Sequence, residues 1–104
     1  MPTEAQILDA LREVIDPELG YNIVDLGLIY GLALDGGTLK VTMTMTTRGC
    51  PAQDYIQDGV FRRAIQLDGV DDVDIELVWD PPWSPQKMSA VAKALFGIED
   101  SAQP

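Results

Sequence analysis

A single cysteine, Cys50, stands in the run Thr46-Thr47-Arg48-Gly49-Cys50-Pro51, where a strand pattern gives way to a helix pattern. Before it, Leu39, Val41, Met43 and Met45 alternate with Lys40, Thr42, Thr44 and Thr46, the period of two of a half-buried strand. After it, Pro51 suits the first position of a helix, where the missing N–H would have had no partner. The spacing therefore puts Cys50 at or beside a helix N-cap, where unpaired N–H groups and the helix dipole favour thiolate over thiol. Gly49 removes a side chain beside the sulfur and lets the backbone turn sharply. A lone cysteine is also a common small buried hydrophobe, and the local pattern leaves both readings open. Thr46 and Thr47 could donate hydroxyl hydrogen bonds to a thiolate or a bound anion, although threonine is equally at home in a strand for its shape.

A second set of reactive groups lies upstream, in Asp16-Pro17-Glu18-Leu19-Gly20. Pro17 disfavours helix at Asp16 and stiffens the link, so the two carboxylates stand on a turn. Such acids often serve only turn formation and solvation. Brought near a sulfur they would oppose the thiolate by like-charge repulsion, yet they could accept the thiol proton. The first helix and the strand that ends at Thr46 pack together, so this turn and the cysteine loop are expected to meet as one site. Downstream, Asp80-Pro81-Pro82-Trp83-Ser84-Pro85 is a stiff loop, with Trp83 either partly exposed for a partner or plugging the core under the last helix.

Composition narrows the chemistry further. The chain has 104 residues, no histidine and a net charge of −10. One cysteine forms no internal disulfide, and without histidine neither a His-dependent triad nor a usual zinc site can be built within one chain. The acidic balance makes nucleic acid and anionic membrane surfaces poor partners. No apolar run is long enough to span a bilayer and the N-terminus lacks signal-peptide character, which predicts a cytoplasmic protein. The length suits a single domain, 1–104, with its core over about residues 3–97.

The elements that must position these groups follow from periodicity. Thr3 with Gln6 has the form of a capping box, and Ile7, Leu8, Leu11, Val14 and Ile15 predict a helix over 3–15. Asn22 to Gly27 reads as a connector of about one turn with Ile23, Val24 and Leu26 inward. Strands over 28–34 and 39–46 flank Asp35-Gly36-Gly37-Thr38 as an antiparallel hairpin. A helix over about 51–67 places Ile56, Val60, Ala64 and Leu67 in one row, widened by Phe61 and Ile65. Its Asp58 and Arg62 are spaced for an ion pair, and its Gly59 implies close packing on a neighbour. Val73, Ile75, Leu77 and Trp79 mark a third strand. A last helix opens with Ser84 as N-cap and turns Met88, Val91, Ala92 and Leu95 inward. The expected fold is α+β, in the order α-β-β-α-β-α, with a small three-stranded mixed or antiparallel sheet packed with helices. Its edges leave room for a homodimer to add a strand.

Together, the segments 16–30, 46–51 and 80–85 resemble the signature of a small domain family that includes SufT and the phenylacetate-pathway protein PaaD, associated with iron–sulfur protein maturation. The resemblance spans nearly the whole chain. It implies an accessory role in assembling clusters or delivering them, with iron–sulfur scaffold or client proteins as partners. It also implies a functional site at Asp16, Glu18, Thr46, Thr47 and Cys50. A stable cluster usually needs four thiolates, so Cys50 fits transient ligation of iron or a cluster, none tightly bound, completed by a partner or a small thiol. The chain lacks the longer, cysteine-containing C-terminus of the PaaD branch, which favours the SufT-like branch. Competing readings are a single-cysteine thiol redox enzyme and an accessory subunit of a multicomponent, phenylacetate-type oxygenase.

Overall fold

The computed structural model describes residues 2–46 and 52–98. Helix α1, Glu4–Leu11, opens on the expected capping box: Gln6 N donates to Thr3 Oγ1 at 3.1 Å and Thr3 N to Gln6 Oε1 at 2.8 Å. The helix stops at Leu11 and does not run on to Ile15. Val14 and Ile15 instead enter a strand, where Val14 is buried, Ile15 is exposed and Asp16 is buried, an alternation that a helix does not produce. Strands β1, Ile15–Asp16, and β2, Tyr21–Asn22, pair antiparallel around the Pro17 to Gly20 turn. They add two short strands to the expected order.

The main sheet is mixed. Strands β3, Ile29–Asp35, and β4, Thr38–Met43, form the expected hairpin, and β5, Asp72–Leu77, runs parallel to β4, which lies in the centre. Gly36 and Gly37 both have positive φ, the requirement of a hairpin turn whose twist matches its strands. Helix α2, Ala52–Ile65, is the crossover between the two parallel strands and buries Ala52, Ile56, Val60 and Ala64. Phe61 does not widen that stripe and is 41% exposed. Asp58 and Arg62 pair at 2.8 Å, and a Cβ on Gly59 would meet Val14 Cγ1 at 3.0 Å, so the glycine lets α2 lie close on the chain leading into β1.

β4 ends at Met43 rather than Thr46, and one further bond across the hairpin, from Thr44 N to Leu28 O at 2.9 Å, follows its last ladder pair. The last helix also differs from its expected form. Pro85–Lys87 is one turn of 3₁₀ helix, Ser84 makes no side-chain cap, and helix α3 is Ala90–Phe96 with Ser89 as N-cap. Met88 and Ala92 are buried as expected, whereas Val91 and Leu95 are exposed. The break has a tertiary cause: Ser89 N donates to Asp25 O at 2.8 Å, holding the backbone extended just where a continuous helix would have bent away. Among the described residues no helix is long and apolar enough to cross a membrane.

Candidate functional site

Asp16 and Glu18 take opposite environments across Pro17. The Asp16 side chain is turned into the protein and is 2% exposed, while Glu18 is exposed. Glu18 N donates to Asp16 Oδ1 at 2.8 Å, the local side-chain-to-backbone bond for which aspartate is favoured in turns. Among the described residues this buried carboxylate has one side-chain hydrogen bond, from a backbone N–H, and no cation within ion-pair distance. The chain entering this turn is clamped on α2 by the Val14 and Gly59 contact and by Arg63 Nη1 to Glu13 Oε1 at 3.4 Å.

Thr46 is half-buried at the end of the segment that follows β4. Thr47 and Cys50, with Arg48, Gly49 and Pro51, lie outside the described residues, so the expected N-cap position of Cys50 and its meeting with Asp16 fall there too. Just before them Thr44 is fully buried, and its Oγ1 has no hydrogen-bond partner among the described residues. The alternation of the strand placed Thr44 on a wet face; beyond the end of β4 that alternation fails, and Met43, Thr44 and Met45 are all inside. Among the described residues, no group of three or more His, Cys, Asp or Glu side chains stands ready to hold a metal ion.

The segments 16–30 and 80–85 are physically joined. Asn22 caps the connector, accepting from Asp25 N at 2.8 Å through Oδ1 and donating from Nδ2 to Asp25 Oδ2 at 2.8 Å. The carbonyls of that connector then receive the downstream loop: Trp83 Nε1 donates to Leu26 O at 2.6 Å and Ser89 N to Asp25 O. Tyr30 Oη donates to Pro81 O at 2.8 Å. Gly27, at φ 82°, brings its backbone so close to Lys87 that an added Cβ would lie 2.2 Å from the Lys87 carbonyl oxygen. Trp83 is thus half-buried and anchored through its polar edge, a mixture of the two roles its sequence allowed.

This junction encloses an open hollow of about 460 Å³ lined by Gly27, Ile29, Tyr30, Pro81 and Lys87. Lys87 Nζ sits 5.2 Å from the centroid of the Tyr30 ring. Burial, followed by the negative charge of Asp80, raises the Tyr30 hydroxyl above the ordinary tyrosine range. Tyr30 and Lys87 carried no signal as a pair in the sequence, since 57 residues separate them and neither belongs to a repeating pattern.

This architecture is that of a known domain class. The chain belongs to the iron–sulfur cluster assembly protein family, whose model matches residues 4–77. It is 45% identical over 94 residues to the Fe-S protein maturation auxiliary factor YitW of Bacillus subtilis, spanning 89% of this chain and 92% of that one. It is 42% identical over 86 residues to the Fe-S protein maturation auxiliary factor SufT of Staphylococcus aureus, 82% of this chain and 98% of the relative. A crystal structure of a domain of unknown function from Bacillus anthracis shares the fold with a TM-score of 0.83 and 39% identity over 92% of each chain.

Proposed function

We propose that this protein is a non-enzymatic accessory factor that supports assembly of iron–sulfur clusters or their delivery to other proteins, working as one domain over 1–104. The observation that carries the reading is the near full-length likeness to maturation auxiliary factors, at 45% and 42% identity. The cluster, or its iron, is cargo in this scheme. One cysteine supplies a quarter of the thiolates a stable cluster usually needs. Cys50 therefore ligates transiently, and a scaffold or client protein, a small thiol or a second copy of the chain completes the set.

Asp16, Glu18, Thr46 and Thr47 surround this chemistry in the proposal. The buried Asp16 carboxylate, oriented by the bond from Glu18 N to Oδ1, would serve in this scheme as an oxygen ligand for an iron ion or as acceptor of the thiol proton. Thr46 and Thr47 offer hydroxyl donors to the sulfur or to an incoming anionic cluster. The acidic surface suits a freely diffusing protein of the cytoplasm.

The test is deletion of the gene followed by assay of several iron–sulfur enzymes, with complementation by the wild type, Cys50→Ser and Asp16→Asn. Lowered activities restored by the wild type and by neither variant are expected. Uniformly normal activities in the deletion strain would overturn the accessory role. Full rescue by Cys50→Ser would remove the cysteine from it.

A further inference from the structure

The hollow between the connector and the downstream loop combines an apolar floor with a cation. Ile29, the Tyr30 ring and Pro81 supply the floor, and Lys87 stands over that ring. Elsewhere on the chain Arg12, Lys40, Arg62 and Arg63 each lie within ion-pair distance of an acid, Asp9, Glu76, Asp58 and Glu13 respectively. Among the described residues Lys87 has an aromatic partner and no carboxylate within ion-pair distance. The walls are fixed in advance, by Trp83 on Leu26 O, Tyr30 on Pro81 O and the Lys87 backbone on Gly27. A wall that does not have to be ordered on binding loses little affinity to conformational entropy.

We propose that this hollow is a docking site for a segment of a partner protein that presents an apolar side chain beside a carboxylate. The apolar group covers Ile29, Tyr30 and Pro81, and the carboxylate takes Lys87. The net charge of −10, and Asp80, whose charge acts on Tyr30, oppose an acidic ligand here as elsewhere, so a preference for a carboxylate has to come from Lys87 at contact distance. The inference rests on reading the chain as a factor that docks on other proteins. It is measured by binding at one hollow and not by enzyme maturation, so the failure of either is seen separately.

The experiment titrates the full chain, observed by amide NMR, with two blocked dipeptides, acetyl-Phe-Glu-amide and acetyl-Phe-Gln-amide. The Glu peptide is expected to bind with a Kd of about 1 mM and to shift the amides of Gly27, Ile29, Tyr30 and Lys87. The uncharged Gln peptide should bind about threefold more weakly, the scale of one exposed ion pair. Lys87→Met should erase that difference and Lys87→Arg should keep it. Equal affinities in the wild type, shifts centred elsewhere, or no saturable shift at about ten times the expected Kd would each overturn the proposal. So would acetate alone reproducing the shifts without any gain from the peptide, because the hollow would then be a simple anion site.

Discussion

The indole N–H of Trp83 donates to the carbonyl oxygen of Leu26 at 2.6 Å, joining a loop and a connector 57 residues apart. The bond satisfies a backbone acceptor beside a fully buried side chain and ties the segment entering α3 to the one leaving β2. Trp83→Phe keeps the ring's apolar surface and removes the donor. It should lower stability by about 1 kcal/mol, read as a lower midpoint in urea with an unchanged slope. An unchanged midpoint would show that water replaces the indole at no cost.

Gly27 tests how tightly the same junction is closed. At φ 82° with the Lys87 carbonyl oxygen 2.2 Å from the position of a Cβ, alanine meets both backbone strain and a backbone clash. Gly27→Ala should cost more than about 2 kcal/mol, whereas Gly20→Ala, with φ 71° and open space, should cost about 1 kcal/mol from strain alone. Thermal unfolding of the two variants side by side checks the order.

Gly59 and Val14 form a pair suited to a double-mutant cycle. Alanine at 59 gains about 1 kcal/mol of helix propensity but brings its Cβ to 3.0 Å from Val14 Cγ1. In the wild type the two effects oppose each other. In a Val14→Ala background the clash is gone, and Gly59→Ala should then stabilise by about 1 kcal/mol. Equal effects in both backgrounds would show that Val14 yields freely.

Thr44 carries a hydroxyl that is fully buried and without a partner among the described residues. Thr44→Val exchanges it for a methyl group of similar shape and should raise stability by about 1 kcal/mol. Thr44→Ser keeps the hydroxyl, removes the methyl and should lower stability by a similar amount, about 1 kcal/mol. A destabilised valine variant would reveal a bond that the hydroxyl makes in solution.

Tyr30 gives the junction a pH dependence. Its folded-state pKa is raised, by burial first and by Asp80 second, so the unfolded chain loses the phenolic proton at lower pH than the folded one. The stabilisation is complete below the ordinary tyrosine range and is lost as pH rises through the raised value. Phenolate absorbance should place Tyr30 as a late titration, and Asp80→Asn should bring it part of the way down. A titration unaffected by Asp80→Asn would leave burial as the sole cause.

Elements governed by neighbours in sequence were legible from the residues themselves. The Thr3 and Gln6 capping box, the glycine pair of the β3–β4 turn, the buried row of α2 and its Asp58–Arg62 pair all depend on interactions within a few positions. The family was legible too, because its three segments are contiguous strings whose residue types survive without any knowledge of their packing. Of the stripe Ile7, Leu8, Leu11, Val14 and Ile15, the side chains of Ile7, Leu11 and Val14 are buried and Leu8 partly so, but Ile15 is exposed, because the helix ends at Leu11 and the chain beyond it alternates.

What only the tertiary structure decided was where distant backbone groups find each other. α3 starts at Ala90, where Asp25 O takes the N–H of Ser89, and the connector receives the indole of Trp83 on Leu26 O. Neither partner is marked in sequence, because every residue carries the same carbonyl. Asp16 is inside and Glu18 outside, a difference that Pro17 between them does not by itself decide, since it fixes the link and not the face that packs inward. The sequence alone could set residue types and local bends; the meeting of Tyr30, Lys87 and Trp83 around one hollow required the chain to close on itself.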